Sequence, residues 1–546
     1  EIAIQSLGGV PLGLYSDALE SEIVYLLDYS DCRTVFVEDE EQADKLISLG
    51  SSIPSVKLII YDEKKGMKKY SDKRLISYSE LLLKGEKILL KTPNSFDKFL
   101  LNLKSDNICI LCPTSGTTTN PKLTAIDHAS IIEHGRKYLE VDPKTYKDEY
   151  VSVLPLPWIM EQMYSVSKWL ICRMKVNFVE EPETMMDDLR EIGPTFLLLA
   201  PRVWEQIAAD VRAKIMESSF IKRFIYNFTF SLLQKDLHSK WRISLAEILI
   251  FKWLRDRLGF SNLTSAATGG AALGPDTFQF FISMGIPLRQ LYGQTELLGA
   301  YTIHKKNDID FDSVGFPFNG VEIKINEQDK EGVGEILVHS ENTMNGYYKE
   351  KTSIKKDYWF KTGDAGYFNA KGHLVVIDRM SDLSYTSIKT RYSPQYIENK
   401  LKFSSYIAEA AIIGSGKKYI SAIVCIRYSV VSKWAEQNRI SFTTYTDLSA
   451  LEKVSELIKK EVKEVNKSLP KNQMIKKFVL LYKEFDADDG ELTRTRKLRR
   501  GVIAKRYFTI IKAIYENKKQ ISINTTINLQ DGTEQRIKTK LNILDL

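Results

Sequence analysis

The sequence predicts an α/β protein with two domains, a large one over residues 1–380 and a small α+β one over residues 381–546. The length is the first observation, because 546 residues exceed what a single hydrophobic core usually serves. The second is an alternation of short β-rich runs with helix-like stretches up to about residue 200, which is typical of sheets covered by helices. The third is a change of pattern after DRMSD (378–382), which places the boundary at Ser381.

The large domain is expected to hold two α/β sheet subdomains. Three short apolar runs have the composition of buried parallel strands. They are CRTVFVED (32–39), VKLIIYDE (56–63) and NICILCPT (107–114). The run EEQADKLISL (40–49) predicts a crossover helix, and the pattern is helical from residue 204 to about residue 258.

Two further β-rich regions follow. From residue 313 to residue 378, short strands with glycine turns predict a small, barrel-like antiparallel subdomain. The last residues form two alternating runs about Asp531 and Gly532, which predict a hairpin. Because the chain starts at Glu1 without a methionine, we expect a preceding segment that completes the first subdomain.

The charge excludes one class of function. A formal net charge of +7 is mild for this length and favours a solvated surface over a nucleic-acid interface. It also suits anionic ligands or a loose contact with an acidic membrane. The run FIKRFIYNFTF (220–230) fits either a packed helix face or a membrane-facing one.

The cysteines and the apolar runs indicate a compartment. Cys109 and Cys112 have C-x-x-C spacing, but they lie in an apolar run and are expected to be buried rather than metal-bound. Five unpatterned cysteines fit a reducing cytosol, and no apolar run is long enough to span a bilayer. We expect a cytoplasmic protein, with a peripheral place at the inner membrane face as a further option.

The stretch LCPTSGTTTNPKLTAIDH (111–128) has the composition of a phosphate-binding loop. It is not a Walker A loop, since Pro121 precedes Lys122 and Leu123 follows it. Hydroxyl and backbone N–H donors can cradle a polyphosphate, and the lysine adds a positive charge. The loop residues in question are Thr114, Ser115, Gly116, Thr117, Thr118 and Lys122. A threonine-rich surface turn is the alternative interpretation.

The other motifs of the sequence decide between a phosphate-binding loop and a surface turn. The loop resembles the T-S-G-T-T-G-x-P-K-G loop of the adenylate-forming superfamily of acyl-CoA synthetases, luciferases and adenylation domains. Seven further motifs follow in the order usual for that superfamily. They are LPLPWIMEQ (154–162), GPTFLLLAPRVWEQI (193–207), TGGAALGPD (268–276), LYGQTE (291–296), WFKTGDAGYF (359–368), GHLVVIDRMSD (372–382) and ELTRTRKLRR (491–500). The motifs are most similar to the long-chain fatty acyl-CoA synthetase branch of bacterial type.

The resemblance implies a nucleotide site. Tyr292 would pack on adenine, Thr295 would bond a phosphate oxygen, and Glu296 would hold Mg²⁺. Asp364 can accept bonds from both ribose hydroxyls, and Arg379 would add a ribose contact. Close backbone approach to the nucleotide is implied for Gly269, Gly270, Ala271 and Gly293.

It also implies catalytic and gating residues. Lys497 corresponds to the lysine that bridges the carboxylate and the α-phosphate, where it neutralises charge in the transition state. Trp158 lies beside the expected acyl site. The small domain would swing about Ser381 between the two half-reactions.

Four positions depart from the family pattern: Thr119, Leu123 and Lys389 stand where glycine is usual, and Ser381 where Lys or Asp is usual. A side chain would add strain of about 1–2 kcal/mol wherever the glycine has positive φ. Lys389 would either narrow the pantetheine channel or bind a CoA phosphate.

The sequence therefore predicts a fatty acyl-CoA ligase that uses ATP, Mg²⁺ and CoA, with a fatty acid and CoA as partners and no nucleic acid. Two alternatives remain open. One is an acyl-AMP ligase that delivers its product to a carrier protein. The other is a degenerate relative that binds nucleotide or acyl chain without turnover.

Overall fold

The computed structural model describes residues 1–114, 121–234, 239–271, 273–329, 332–350, 358–486, 489–492, 498–528 and 534–546. Over these ranges, no helix combines the length and the apolar character needed to cross a bilayer.

A three-stranded parallel sheet near the start of the chain confirms that the first two predicted strands are parallel. Its strands are Thr34–Val37, Leu58–Tyr61 and Leu75–Ser77. The first of them is not buried as predicted, since Phe36 is 49% exposed. Helix Glu40–Ser48 connects the first two, and it begins where the Asp39 carboxylate accepts a hydrogen bond from the backbone N–H of Gln42.

The third predicted parallel strand is wrong in its direction. Strand Ile108–Pro113 pairs antiparallel with Leu123–Asp127, which pairs in turn with Gly346–Tyr347. The connection 114–122 is too short for a parallel crossover, which needs a dozen or more residues. Cys109 and Cys112 are both buried in this strand, as expected.

A seven-stranded sheet forms the centre of the large domain. In spatial order its strands are Phe316–Pro317, Gly299–Ile303, Leu288–Gln294, Ser265–Thr268, Phe196–Leu198, Glu149–Ser152 and Lys175–Phe178. The last five strands run parallel to one another. The second strand pairs antiparallel with the third, and the first pairs antiparallel with the second. Phe196 and Leu198 face one core and Leu197 the other, so the sheet is buried on both faces.

Helices pack around the sheets of the first 380 residues and include the helical region predicted from residue 204 to residue 258. They are Ile2–Ser6, Glu20–Tyr29, Tyr78–Lys91, Ser95–Asn102, His128–Val141, Ile159–Glu161, Lys168–Cys172, Met185–Ile192, Pro201–Met216, Phe220–Gln234, Lys240–Ala246, Lys252–Leu258 and Pro275–Ser283. Two π-helical stretches, Gln162–Ser167 and Glu247–Phe251, interrupt them.

An antiparallel four-stranded sheet confirms the antiparallel strands predicted for the glycine-turn subdomain, but its strand order does not show the predicted barrel-like form. Its strands are Val321–Asn326, Gly334–Ser340, Phe360–Phe368 and Leu374–Arg379. The third and fourth of these strands carry Asp364 and Arg379, which are direct partners across the ladder.

The C-terminal part has its own five-stranded sheet with the strand order Ile407–Ile413, Ile420–Ile426, Ile475–Leu480, Glu534–Asp545 and Gln520–Asn528. A small hairpin, Ser384–Tyr385 with Arg391–Tyr392, precedes it. Its helices are Pro394–Lys402, Tyr428–Gln437, Tyr445–Ala450, Glu452–Lys467, Arg500–Arg506 and Phe508–Tyr515. The last two strands pair antiparallel as predicted, while Asp531 and Gly532 lie outside the described residues. Ser381 stays our proposed domain boundary.

Candidate active site

Asp364 is the centre of a polar cluster between the two largest sheets of the first 380 residues. Its carboxylate accepts hydrogen bonds from the Tyr292 hydroxyl at 2.5 Å and from the Gln294 amide at 3.0 Å. Arg379 Nε lies 3.1 Å from the other carboxylate oxygen. The carboxylate is 9% exposed and faces three donors, so a ribose would meet an acceptor that is already held in place.

Strand Leu288–Gln294 delivers Tyr292 and Gln294 to this cluster. A bulge between Tyr292 and Gly293 shifts the register against strand Gly299–Ile303. A Cβ on Gly293 would lie 1.8 Å from the Gly299 carbonyl oxygen, so only glycine fits there. Burial raises the pKa of Tyr292 well above its ordinary value, which keeps the phenol as a hydrogen-bond donor.

A second polar chain lies along the expected phosphate path. The Tyr347 hydroxyl donates to Glu296 Oε1 at 2.9 Å. Lys122 Nζ lies 4.5 Å from the centre of the Tyr347 ring and 3.0 Å from a Glu350 carboxylate oxygen. Thr295 and Glu296 form a 3₁₀ turn directly after the strand that carries Tyr292. The fold therefore brings the candidate lysine and the candidate Mg²⁺ ligand to the same tyrosine.

The phosphate loop itself is described only at its two ends. The Thr114 N–H donates to the Lys122 carbonyl at 2.8 Å, and the Lys122 N–H donates to the Thr114 hydroxyl at 3.3 Å. The loop residues Ser115, Gly116, Thr117, Thr118 and Thr119 lie outside the described residues. Leu123 is a buried strand residue without positive φ, so the strain expected at this position is absent.

Two glycines follow strand Ser265–Thr268 at the same end of the sheet. A Cβ on Gly269 would lie 2.1 Å from a methyl carbon of Leu291, whereas one on Gly270 would have no atom of the described residues within 4 Å. Gly270 has φ of +85°. Together with Ala271 they form a wall without bulky side chains, as a flat base requires.

Trp158 lies at the start of the short helix Ile159–Glu161 and is half-buried against the central core. Behind it, Glu161 is fully buried and accepts hydrogen bonds from the hydroxyls of Tyr150 (2.8 Å) and Ser152 (2.6 Å). Burial raises the pKa of Glu161. This buried carboxyl fixes the turn that carries Trp158.

Lys389 has a left-handed backbone conformation, which glycine adopts most easily. Its φ is +63°, and it lies exposed in the turn between the two strands of the small hairpin. The turn is closed by a hydrogen bond from the Lys389 N–H to the Thr386 carbonyl at 3.0 Å. The backbone strain that we expect from the sequence for a non-glycine residue with positive φ therefore applies to Lys389.

Lys497 lies outside the described residues, but both ends of its segment are anchored. Fully buried Glu491 accepts hydrogen bonds from the Tyr507 hydroxyl at 2.6 Å and from Lys483 at 2.7 Å. On the other side, Arg500 forms a two-pronged ion pair with Glu398 at 2.6 and 2.9 Å. The nearby carboxylates, chiefly Glu398, raise the pKa of Arg500.

The donors and acceptors present fit a Mg-nucleotide. Thr268 Oγ1 and Gln294 Oε1 are buried and have no hydrogen-bond partner among the described residues. Among the described residues, no three His, Cys, Asp or Glu side chains are grouped to hold a metal. A single carboxylate such as Glu296 suits Mg²⁺, which usually keeps waters and takes its other ligands from substrate phosphates.

Sequence reasoning missed several residues of this site. Gln294 lies inside the LYGQTE motif, where its polarity could have signalled a role. Tyr347 and Glu350 carry no signal of their own, because only the pairing of Gly346–Tyr347 with Leu123–Asp127 brings them to Lys122.

Comparison with known proteins identifies the family of the chain. Residues 1–348 match the family model of AMP-binding enzymes, and residues 383–519 match that of the AMP-binding enzyme C-terminal domain. Long-chain-fatty-acid–CoA ligase ACSBG2 of Xenopus laevis is 28% identical over 550 residues, with 93% of this chain and 73% of that protein covered. ACSBG1 of Homo sapiens is 26% identical over 549 residues, with 94% and 75% covered.

These relatives are vertebrate proteins, so they give no support to the bacterial type of synthetase expected from the motifs.

Solved structures agree on the fold. The adenylation domain of a carboxylate reductase from Mycobacterium chelonae superposes with a TM-score of 0.69 at 18% identity, covering 94% of this chain and 78% of that one. The corresponding domain from Segniliparus rugosus, in complex with AMP and a co-purified carboxylic acid, gives 0.65 at 17%, covering 94% and 80%. Fold, motif order and family match agree, and the chain belongs to the AMP-binding enzyme family, the adenylate-forming superfamily.

Proposed function

We propose that this protein is an acid–thiol ligase that activates a fatty acid with ATP and transfers the acyl group to CoA. The observation that carries the proposal is the Tyr292–Asp364–Arg379 cluster with Glu296 beside it, in a family whose named relatives are long-chain-fatty-acid–CoA ligases. A long-chain fatty acid is therefore the expected substrate, with Trp158 beside its carboxyl end.

The chemistry has two steps. A carboxylate oxygen attacks the α-phosphorus of ATP, the bond to the β-phosphate oxygen breaks, and pyrophosphate leaves. The sulfur of CoA then attacks the acyl carbonyl carbon, the bond to AMP breaks, and the thiol proton passes to solvent. Both steps depend more on positioning and charge neutralisation than on covalent help from the protein.

Each side chain has one task in this scheme. Asp364 accepts hydrogen bonds from the ribose hydroxyls. Lys122 breaks its ion pair with Glu350 and binds the phosphates. Lys497 neutralises the charge that develops between carboxylate and α-phosphate. Bound Mg²⁺, held by Glu296 and the phosphates, would supply further charge neutralisation.

The first experiment combines ATP, Mg²⁺, CoA and fatty acids from short to long with the protein and detects acyl-CoA and acyl-AMP together by mass spectrometry. Acyl-CoA is the expected product. Acyl-AMP without thioester would support the carrier-protein ligase instead, and absence of both products together with absence of pyrophosphate would support the degenerate binder.

Lys497→Ala is expected to lower pyrophosphate release at least about 100-fold while ATP still binds, since one lost transition-state donor typically costs that much. The matched control is Arg499→Ala, which removes an exposed cation two residues away and should leave the rate within about twofold. An unchanged rate for Lys497→Ala would contradict the assigned role.

We further propose a cytoplasmic protein whose small-molecule partners are the fatty acid and CoA. Contact with a membrane surface would suit a lipid substrate.

A further inference from the structure

Two neighbouring helices expose apolar side chains on their outer faces. One is Phe220–Gln234, and the other is the helical run of Lys240–Ala246, Glu247–Phe251 and Lys252–Leu258. Nine large apolar side chains on them are between 37% and 74% exposed. We call these the aromatic face: Phe220, Ile221, Phe224, Phe228, Trp241, Ile243, Ile248, Leu249 and Trp253.

Both helical elements turn their opposite sides into one core, so their outer faces lie on the same side of the molecule. Tyr226 and Leu233 of the first and Ala246 and Phe251 of the second belong to the same buried cluster. The ring of Phe230 contacts that of Phe251 at 5.3 Å. The core is therefore complete without the aromatic face.

The spacing on the first helix makes the exposure systematic. Phenylalanine recurs at every fourth residue, at Phe220, Phe224 and Phe228. The rings of the last two are stacked, with 6.3 Å between their centres. On the second element the π-helical stretch places Ile248 and Trp253, five residues apart, on neighbouring turns.

The aromatic face is large for a surface patch. Aromatic side chains carry about 150–250 Å² each. At the exposures observed, the five aromatic residues alone present roughly 450–750 Å², against about 300–600 Å² for the largest patch of a typical monomer. A patch of this size indicates a partner.

The charges beside it are almost all positive. Lys222, Arg223, Lys252 and Arg257 are exposed on the same two helical elements, and Asp256 is their one exposed acidic residue. Lysine is depleted in protein–protein interfaces, whereas Lys and Arg beside Trp, Phe and Leu are typical of helices that lie in a bilayer interface.

We propose that the aromatic face docks this protein onto the surface of a bilayer that carries anionic phospholipid headgroups. The apolar side chains enter the region between headgroups and acyl chains, and the four cations pair with lipid phosphates. The helices lie along the surface, in agreement with the absence of a membrane-crossing helix among the described residues. Docking would let the protein take up a lipid acid directly from the bilayer, and this benefit rests on the proposed function.

The test is flotation of the protein with unilamellar vesicles, one set of pure phosphatidylcholine and one of equal parts phosphatidylcholine and phosphatidylglycerol. No substrate is added, so docking and catalysis can fail separately. Binding is expected on the mixed vesicles, with affinity that falls as salt is raised, because the electrostatic part is screened.

Phe224→Gln with Trp253→Gln should lower the partition coefficient at least about tenfold on both kinds of vesicle, since two large apolar groups no longer enter the interface. The matched control is Leu90→Gln with Leu101→Gln, two side chains that are 83% and 84% exposed on other helices. It should leave binding unchanged. An equal loss in the control would overturn the assignment of the face.

Lys222→Glu with Arg223→Glu should lower binding to the mixed vesicles about tenfold or more and leave binding to pure phosphatidylcholine nearly unchanged. All substituted residues are exposed, and far-ultraviolet circular dichroism would verify the fold. A protein that fails to float with mixed vesicles, or that instead dimerises through this face in light scattering, would refute the proposal.

Discussion

At the scale of single residues, the candidate site depends on side chains that hold one another before any ligand arrives. Asp364 accepts from Tyr292 and Gln294 and pairs with Arg379. Such fixed donors and acceptors cost little reorganisation when substrate binds, which is the general advantage of a preorganised site.

Asp364→Asn is expected to weaken ATP binding roughly 10- to 100-fold, because a hydrogen bond to a charged group contributes about 1.5–3 kcal/mol. Asparagine keeps one acceptor oxygen and replaces the other with an amide donor, so the two ribose hydroxyls lose one of their two charged acceptor atoms. Calorimetric titration with ATP would measure the change. The comparison variant is Tyr292→Phe, which removes one hydrogen-bond donor to the carboxylate and keeps the carboxylate itself. Equal ATP affinity of the wild type and Asp364→Asn would contradict the role assigned to Asp364.

Lys389→Gly is expected to release backbone strain of about 1–2 kcal/mol, offset in part by about 0.4–1 kcal/mol of chain entropy in the unfolded state. The melting temperature should rise slightly. If the lysine binds a CoA phosphate, as we expect from its exposure, the KM for CoA rises roughly two- to fivefold while adenylation is unchanged. A lower KM would show that the side chain narrows the channel instead.

At the scale of elements, glycines determine where helices and strands can approach one another. Helix Lys252–Leu258 ends at Gly259, which has φ of +75° and packs against the end of helix Met185–Ile192. Gly259 ends the second of the two helical elements, which carries about half of the aromatic face.

Gly259→Ala should destabilise the protein by about 1–3 kcal/mol or more, because the new Cβ would lie 2.2 Å from the Leu189 carbonyl oxygen in a left-handed backbone. Gly85→Ala is the control with the opposite sign. Gly85 lies inside helix Tyr78–Lys91, and an added Cβ would have no atom of another described element within 4 Å, so alanine should stabilise by about 0.5–1 kcal/mol. Denaturant unfolding measures both, and a neutral Gly259→Ala would contradict the packing.

At the scale of the whole molecule, residues on both sides of the proposed boundary are in contact. The Arg212 guanidinium lies 3.7 Å from the centre of the Phe403 ring and donates to the Phe403 carbonyl at 2.6 Å. Arg427 donates to Gln206 at 3.0 Å. A swing of the small domain about Ser381 would have to break these contacts.

Acid stability is also a property of the whole fold. His134 is fully buried with Nε2 2.7 Å from the Ala300 carbonyl, and burial lowers its pKa to about 4 from an ordinary 6.5. The unfolded chain therefore binds a proton that the folded one excludes, and stability is lost as pH falls from about 6.5 to about 4, by up to about 3 kcal/mol. His134→Gln keeps a donor for the carbonyl and should flatten this slope in unfolding titrations between those pH values. A slope equal to that of the wild type would refute this origin.

The sequence by itself determined the α/β class, the order of the elements and the candidate nucleotide residues, because hydrophobic periodicity and motif order are local properties. It predicted the helix at 40–49 and the antiparallel strands before residue 378 for the same reason. Its error at strand Ile108–Pro113 has a physical cause, since a buried apolar run does not reveal the direction of its neighbour.

Only the tertiary structure decided which side chains meet. The Tyr347 hydroxyl meets Glu296 because strand Gly346–Tyr347 pairs with Leu123–Asp127, which lies more than 200 residues earlier in the sequence. The Gln294 amide meets the Asp364 carboxylate because the two residues lie in different sheets that pack together. It also decided that the run 220–230 has one face in the core and another in solvent. Such contacts depend on the packing of distant segments, which no local pattern encodes.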